Sequence, residues 1–407
     1  MTTTTEPSAA LTAPQGKAEK ARDRAKEAYF TASQGQLVRA RFRKNRTAMV
    51  AACVLFVLIL AGFFAPLLSP YDPTIAGRDK GYLNGAPQMP MFCDHNGCSA
   101  RPFLHGVKME LDMATLRRTP VVDIETRRYI QFWVQGWEYS YFAFEVDLPG
   151  ETFDVKWGGI TFSTHLFGID DGFVHLFGTD GEGKDLFSRT LHAIWTSMAV
   201  GTLSVLIAFV LALIIGGVSG YFGGWIDSVI QMITDAIRTV PAIPLFMAIS
   251  AILFEYAPSM TAETRFFVIA SILGLIGWPT LARRIRTHLL AERSQEYVLA
   301  AQLCGASASH VIRRHLLPSF TSYIIVDLVI SFPYMVLSET ALSFIGLGLK
   351  DPVNSLGVML KNVSEADVLM NYQWEAIPAV FFVVLVLAFV FVGDGLRDAA
   401  DPYGDKR

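Results

Sequence analysis

Apolar residues in this chain gather into blocks of about 20, and that spacing restricts the possible folds more than any other feature. Wound as a helix, a block of this length crosses a hydrocarbon layer about 30 Å thick. The blocks run from Thr47 to Leu68, Ala193 to Val218, Ile226 to Phe254, Phe266 to Ala282, Ser319 to Gly346 and Ala376 to Gly393. Charged residues are only 17% of the 407 positions and hydrophobic ones 52%, whereas soluble domains carry about 25% charged residues. The expectation is an all-α polytopic membrane protein with six transmembrane helices. A net charge of −3 offers no electrostatic footprint for nucleic acid.

Basic residues orient the spans. Arg39, Arg41, Arg43, Lys44 and Arg46 precede the first block, and Arg283, Arg284, Arg286, Arg293, Arg313 and Arg314 lie between the fourth and fifth. Leu347 to Glu375, by contrast, has only Lys350 and Lys361. Positive charge marks cytoplasmic loops, so both termini are expected in the cytoplasm. Met1 to Gly16 is rich in Thr, Ala and Pro and lacks the apolar core of a secretory signal. It reads as disordered, and Lys17 to Phe30 reads as a solvated helix. Residues 1–46 form a cytoplasmic tail, 47–68 the first span, 69–190 an extracytoplasmic insert, 191–394 a five-helix permease core with a loop at 283–318, and 395–407 a second cytoplasmic tail. Pro66, Pro70 and Pro73 are expected to end the first span. Within the insert, Tyr129 to Val134 and Thr152 to Val155 partly alternate, which predicts a small β-rich domain. Of four cysteines, Cys93 and Cys98 are expected to form a disulfide in the oxidising compartment outside the membrane. Cys53 and Cys304 are expected to be free thiols.

The long basic loop carries the most specific pattern: Glu296-Tyr-Val-Leu-Ala300-Ala301, then Gly305, Ile312 and Leu317-Pro318. Good helix formers fill Glu296 to Cys304, and Gly305 is suited to stop that helix. The pattern resembles the cytoplasmic EAA loop of ABC importer permeases. It departs in placing Tyr297, Val298 and Leu299 between the Glu and the Ala pair, a spacing ordinary in the peptide branch. Further stretches resemble the dipeptide/oligopeptide branch: Arg41 to Ala48, Pro70 to Pro73, Phe177 to Arg189, Gly220 to Gly224, His315 to Ser319, Glu339 to Gly348 and Gly393 to Pro402. The enlarged external segment is similar to that of a long-insert subgroup. The resemblance implies a transport subunit in the inner membrane, without an ATPase site or cofactor of its own. It also implies a homologous second permease, two cytoplasmic ABC ATPases docked on the EAA-type helix, and an extracytoplasmic solute-binding protein. The implied solutes are di- or oligopeptides, although the branch also moves nickel, opines and oligosaccharides.

Several features need weighing against that reading. Gly178 to Lys184 mimics the phosphate-loop pattern G-x-x-x-x-G-K. Asp185 stands where a Mg²⁺-binding Ser or Thr belongs, and Asp180 and Glu182 would repel phosphate, so no nucleotide site is expected. His165 to Asp170 recurs as His175 to Asp180; without four-ligand spacing the pair is expected to form two similar turns packed on the membrane face, with no metal. Gly216, Gly220 and Gly224 recur at a spacing that permits close helix approach. Glu339 is costly within a span and is a candidate for lining the pathway. Asp327 is similar but less informative, and Asp394 sits at a span boundary. An ion-coupled secondary transporter would show internal repeats and midplane charges. A membrane-anchored sensor or enzyme would need a catalytic constellation between Tyr71 and Arg189. Neither pattern is found.

Overall fold

A computed structural model describes residues 34–75, 82–95, 97–113, 117–141, 144–147, 154–169, 172–256, 261–319 and 321–401. The expected disordered tail and the helix at Lys17 to Phe30 lie outside the described residues, as do Thr152, Asp170 and the end of the C-terminal tail.

The chain enters through α1 (Gln34–Lys44) and α2 (Arg46–Phe63), followed by the short α3 (Ala65–Leu68). Asn45 caps α2 by accepting from the Ala48 amide at 3.2 Å, which satisfies an otherwise orphan donor. The first span therefore stops at Phe63, earlier than its apolar block, and Pro66 sits in the first turn of α3, where its missing N–H costs nothing.

Seven strands then form among the described residues: β1 (Met91–Asp94), β2 (Gly97–Asp112), β3 (Arg117–Tyr129), β4 (Gln131–Tyr141), β5 (Phe144–Asp147), β6 (Asp154–Trp157) and β7 (Ile160–Gly168). They build three separate antiparallel sheets, β1-β2-β3, β4-β7 and β5-β6, rather than a single one. The segment Tyr129 to Val134, expected as one strand, straddles two. The break falls at Ile130, whose side chain is buried with Leu104 and Val174 and whose amide donates to the Pro102 carbonyl at 3.0 Å. Cys93 and Cys98 face one another across the β1-β2 hairpin and are joined by a disulfide. Arg127 clasps Asp94 beside it.

The outgoing and returning ends of this insert are hydrogen-bonded to each other. Asn84 donates to the Asp180 carbonyl at 2.9 Å, Thr179 to Gly85 at 3.0 Å and Gln88 to His175 at 2.9 Å. The β4-β7 sheet rests on the C-terminal end of α2 and on α3. Ring contacts link Tyr141 to Phe63 and Phe63 to Trp195, and His165 bridges the carbonyls of Pro66 and Trp137 at 3.0 Å each. His165 thus belongs to β7, not to a turn as expected from its repeat; only the copy at His175 lies in a loop.

The remaining helices are α4 (Leu186–Phe222), α5 (Gly224–Thr239), α6 (Ala242–Tyr256), α7 (Ala262–Glu292), α8 (Glu296–Leu303), α9 (Ala308–Val311), α10 (Leu317–Ser319), α11 (Thr321–Ile345), α12 (Leu356–Val363), α13 (Ala366–Asn371) and α14 (Ile377–Ala400). Among the described residues, α2, α4, α7, α11 and the stretch containing α14 are each long and apolar enough to cross a membrane. The expected span Ile226 to Phe254 is a broken pair instead: α5 and α6 pass the test only together and meet at an angle of 81°. Pro241 accounts for the break, because the residue before a proline avoids helical geometry and Val240 is extended. Asp227 and Asp235, the acidic residues of this block, turn toward α7, where they pair with Arg286 and Arg283.

Helix α4 has 37 residues, about 55 Å at 1.5 Å per residue. That exceeds the hydrocarbon layer, so its first turns stand clear of it. Its axis lies very close to α7. A Cβ on Gly216 would stand 2.5 Å from the Ala282 carbonyl oxygen, and one on Gly220 2.9 Å from that of Arg286. Gly274 reciprocates from α7, where a Cβ would meet Ser204 of α4 at 2.9 Å. Gly224, the third glycine of the repeat, has no such neighbour; with Gly223 it turns the chain at positive φ. Gly216→Val should therefore lower the melting temperature of the detergent-purified protein, at roughly 1–3 kcal/mol. Gly217→Ala is the control, since nothing lies within 4 Å of its added Cβ. Equal melting of the two variants would refute the close-approach account.

Candidate functional site

Three places concentrate polar or exposed groups that packing alone does not require. The first is the element following α7. Val298, fully buried, anchors α8 to the core, and Ala301 and Ala306 pack against it. The helix ends at Cys304, after which Gly305 takes φ +83°. The Ala306 amide donates to the Ala301 carbonyl at 3.1 Å and the Gly305 amide to Gln302 at 2.9 Å. These two bonds and the Ala301–Ala306 pair on the inner face make a Schellman cap. No atom lies within 4 Å of a Cβ on Gly305, so glycine is required there by the backbone and not by space.

Ala301 thus faces inward, and other residues make the outward face. Glu296, Leu299, Ala300 and Leu303 share it at the i, i+3, i+4, i+7 spacing of a helical stripe. Leu299 is 48% exposed and Leu303 89%. Both leucines escaped the motif, although the stripe was readable from their spacing. Ile312 and Leu317 pack on the core around a buried Leu316, while Pro318 is exposed. Pro318 lies inside the short α10, just after a π-helical turn at Ile312–Leu316 and before α11.

The second place is the N-terminal end of α4. Arg189 is 1% exposed. Its guanidinium donates to Asn354 at 2.7 Å, to Asp180, and to Asp351 at 3.3 Å. Lys184 reaches Glu182 at 2.7 Å and Asp351 at 3.0 Å. Burial opposes the Lys184 charge, but these partners outweigh it and raise the ammonium above its usual pKa. Tyr82 lies beneath the same loop, and burial pushes its hydroxyl up to about 12. The phosphate-loop look-alike is filled from within: one carboxylate oxygen of Asp180 accepts from the amides of Glu182 at 2.9 Å and Lys184 at 2.8 Å. His175 contacts Asp185 at 2.9 Å, and Asp185 caps α4 through the Ser188 amide at 2.8 Å. Among the described residues no group of His, Cys, Asp or Glu is arranged to hold a metal ion.

The third place is a pair of cavities, one of 480 Å³ between the α5–α6 bend, α7 and α11, and one of 590 Å³ between α7, α11 and the end of α14. They share Arg284 and Tyr334. Arg284 donates to Asp327 at 3.1 Å, and Tyr334 is largely exposed. Glu339 lines neither cavity. It is fully buried where α4, α11 and α12 meet, accepting from Ser343 at 2.8 Å and Ser197 at 3.1 Å. The Ser197 hydroxyl in turn accepts from the Leu356 amide at 3.1 Å.

This arrangement of bent and straight helices around two cavities, with one short capped helix after α7, has known counterparts. The profile of the family described as binding-protein-dependent transport system inner membrane component matches residues 210–403. That of the N-terminal TM domain of oligopeptide transport permease C matches residues 33–87. The dipeptide transport system permease protein DppC of Bacillus subtilis (strain 168) is 36% identical over 229 residues, covering 56% of this chain and 68% of that protein. The chain belongs to the binding-protein-dependent transport permeases. DppC of Lactococcus lactis subsp. cremoris (strain MG1363) is 33% identical over 63% of this permease and 73% of its own length. The oligopeptide transport system permease protein OppC of Bacillus subtilis (strain 168) is 33% identical over 56% and 72%. Among solved structures, the inward-facing methionine ABC transporter MetNI aligns with 52% of this chain and 96% of its own at 19% identity, with a TM-score of 0.42. Neither family profile reaches the insert strands β1 to β7.

Proposed function

We propose that this permease is one half of the membrane channel of an ATP-driven importer for peptide-like solutes. The names of its relatives support that solute class. A homologous second permease closes the cavity between α5–α6, α7 and α11 to form the pathway. Two ABC ATPases bind from the cytoplasm and a solute-binding protein delivers from outside. The basic residues at the start of α2 and along the C-terminal half of α7 support an inner-membrane topology with both termini in the cytoplasm. The insert, attached at the opposite ends of α2 and α4, docks the binding protein or caps the mouth of the pathway. Glu296, Ala300, Ala301, Gly305, Ile312, Leu317 and Pro318 build the ATPase-coupling element. Glu339 ties helices together rather than lining the pathway.

The observation that carries this reading is the exposed apolar stripe of α8. A leucine as exposed as Leu303, on a rigidly capped helix fixed to the core, is a ready contact for a protein partner. Reconstitution tests it. The permease alone should hydrolyse no ATP, and vesicles holding both permeases and both ATPases should accumulate peptide when loaded binding protein and ATP are supplied. Robust hydrolysis by the lone subunit would refute the assignment.

A further inference from the structure

The two cavities are rich in positive charge. Arg238 lines one, Arg283 and Arg397 line the other, and Arg284 stands where they meet. Asp327 is the one carboxylate among the described lining residues. Arg283 is held by Asp235 at the rim, whereas Arg238 and Arg397 form no ion pair among the described residues. Low-dielectric walls focus the field of an unbalanced charge. Here the field favours an anion. The Arg284–Asp327 pair keeps the empty cavity neutralised at its centre, so an entering anion must compete for Arg284 and can be released again, as passage requires.

We propose that this cavity selects solutes bearing a free carboxylate, which Arg284 takes over from Asp327 as the solute passes. The proposal rests on the translocation reading above. For a peptide, the selected group is its C-terminal carboxylate.

Ser331 lines the cavity one turn from Asp327 and can report its charge. The test uses inside-out vesicles containing the assembled transporter, with Cys53→Ser and Cys304→Ser removing both free thiols and Ser331→Cys placing one in the cavity. Its modification is followed with an anionic (2-sulfonatoethyl) and a cationic (2-trimethylammonioethyl) methanethiosulfonate, each normalised to its rate on a small free thiol. The anionic reagent should be favoured about fivefold, the size of one partly screened pairing. Arg284→Gln should bring the ratio to near one and Arg284→Lys should largely restore it. Millimolar trialanine should slow labelling, and trialanine amide should not. Absence of labelling by either reagent would overturn the pathway reading together with the proposal. Labelling with a ratio near one, or equal protection by acid and amide, would leave the pathway standing and overturn carboxylate selection.

Discussion

Arg189→Ala should leave little folded permease after detergent extraction. The guanidinium it removes is closed to water and holds Asp180, Asp351 and Asn354. Asp351 is partly exposed and keeps Lys184 as a partner, but Asp180 would be left buried without its counterion, and breaking a buried pair in this way costs about 3–5 kcal/mol. That is a large share of the 5–15 kcal/mol typical of a folded domain. Asn354→Ala removes one neutral acceptor and should cost about 1–2 kcal/mol. Fluorescence-detected gel filtration after graded heating would rank the two. Similar melting of Arg189→Ala and wild type would show that this network does not hold the membrane segments together.

Leu303→Asp should separate the permease from its ATPases without unfolding it. The side chain is 89% exposed in the isolated chain, so its loss costs the subunit almost nothing, whereas burying a leucine against a partner contributes about 1.5–3 kcal/mol. The charge adds a desolvation cost on top. Copurification of a tagged ATPase should fall by at least about tenfold, with membrane insertion and melting temperature unchanged. Gly305→Val should also weaken copurification, because a β-branched residue resists φ +83° and the Schellman cap that aims the helix would open. Glu296→Ala should do least, since an exposed pairing contributes only about 0–1 kcal/mol. Ala301→Trp is a poor probe of docking: Ala301 packs inward against the core, so the variant would confound docking with misfolding. Retention of the ATPase by Leu303→Asp would remove α8 from the coupling role.

The spans were legible because bilayer thickness sets a length that apolar blocks must meet, and their ends were not. Helix α4 begins at Leu186, several residues before its apolar block, because Asp185 caps it and the polar residues of its first turns bury themselves in ion pairs. The bend between α5 and α6 was foreshadowed by Pro241, but a proline says only that a helix stops, not whether the chain resumes in the same direction. The sheets were the least readable part. β4 pairs with β7 across the β5-β6 hairpin, and such pairing depends on contacts between segments distant in sequence. In α8 the pattern does not say which way each small residue faces: Ala301 turns inward and Ala300 outward. The motif requires a small residue at position 301 for the cap's inner contact, and from sequence alone this looks the same as a small residue needed for a partner.

The paired segments at Asn84 to Gln88 and His175 to Asp180 act as a clasp at the neck of the insert. Once a neck is fastened, the entropy of what hangs beyond it grows only with the logarithm of its length, about 0.6 kcal/mol for each doubling. For chain beyond the clasp that does not touch the helices, the helical core is therefore nearly indifferent to length, whereas the β4-β7 sheet, packed on Phe63 and Pro66, is part of what it rests against. Such a permease can lengthen, shorten or exchange its external appendage over evolutionary time while the spans beneath keep their packing, and a reporter protein spliced beyond the clasp would be tolerated for the same reason.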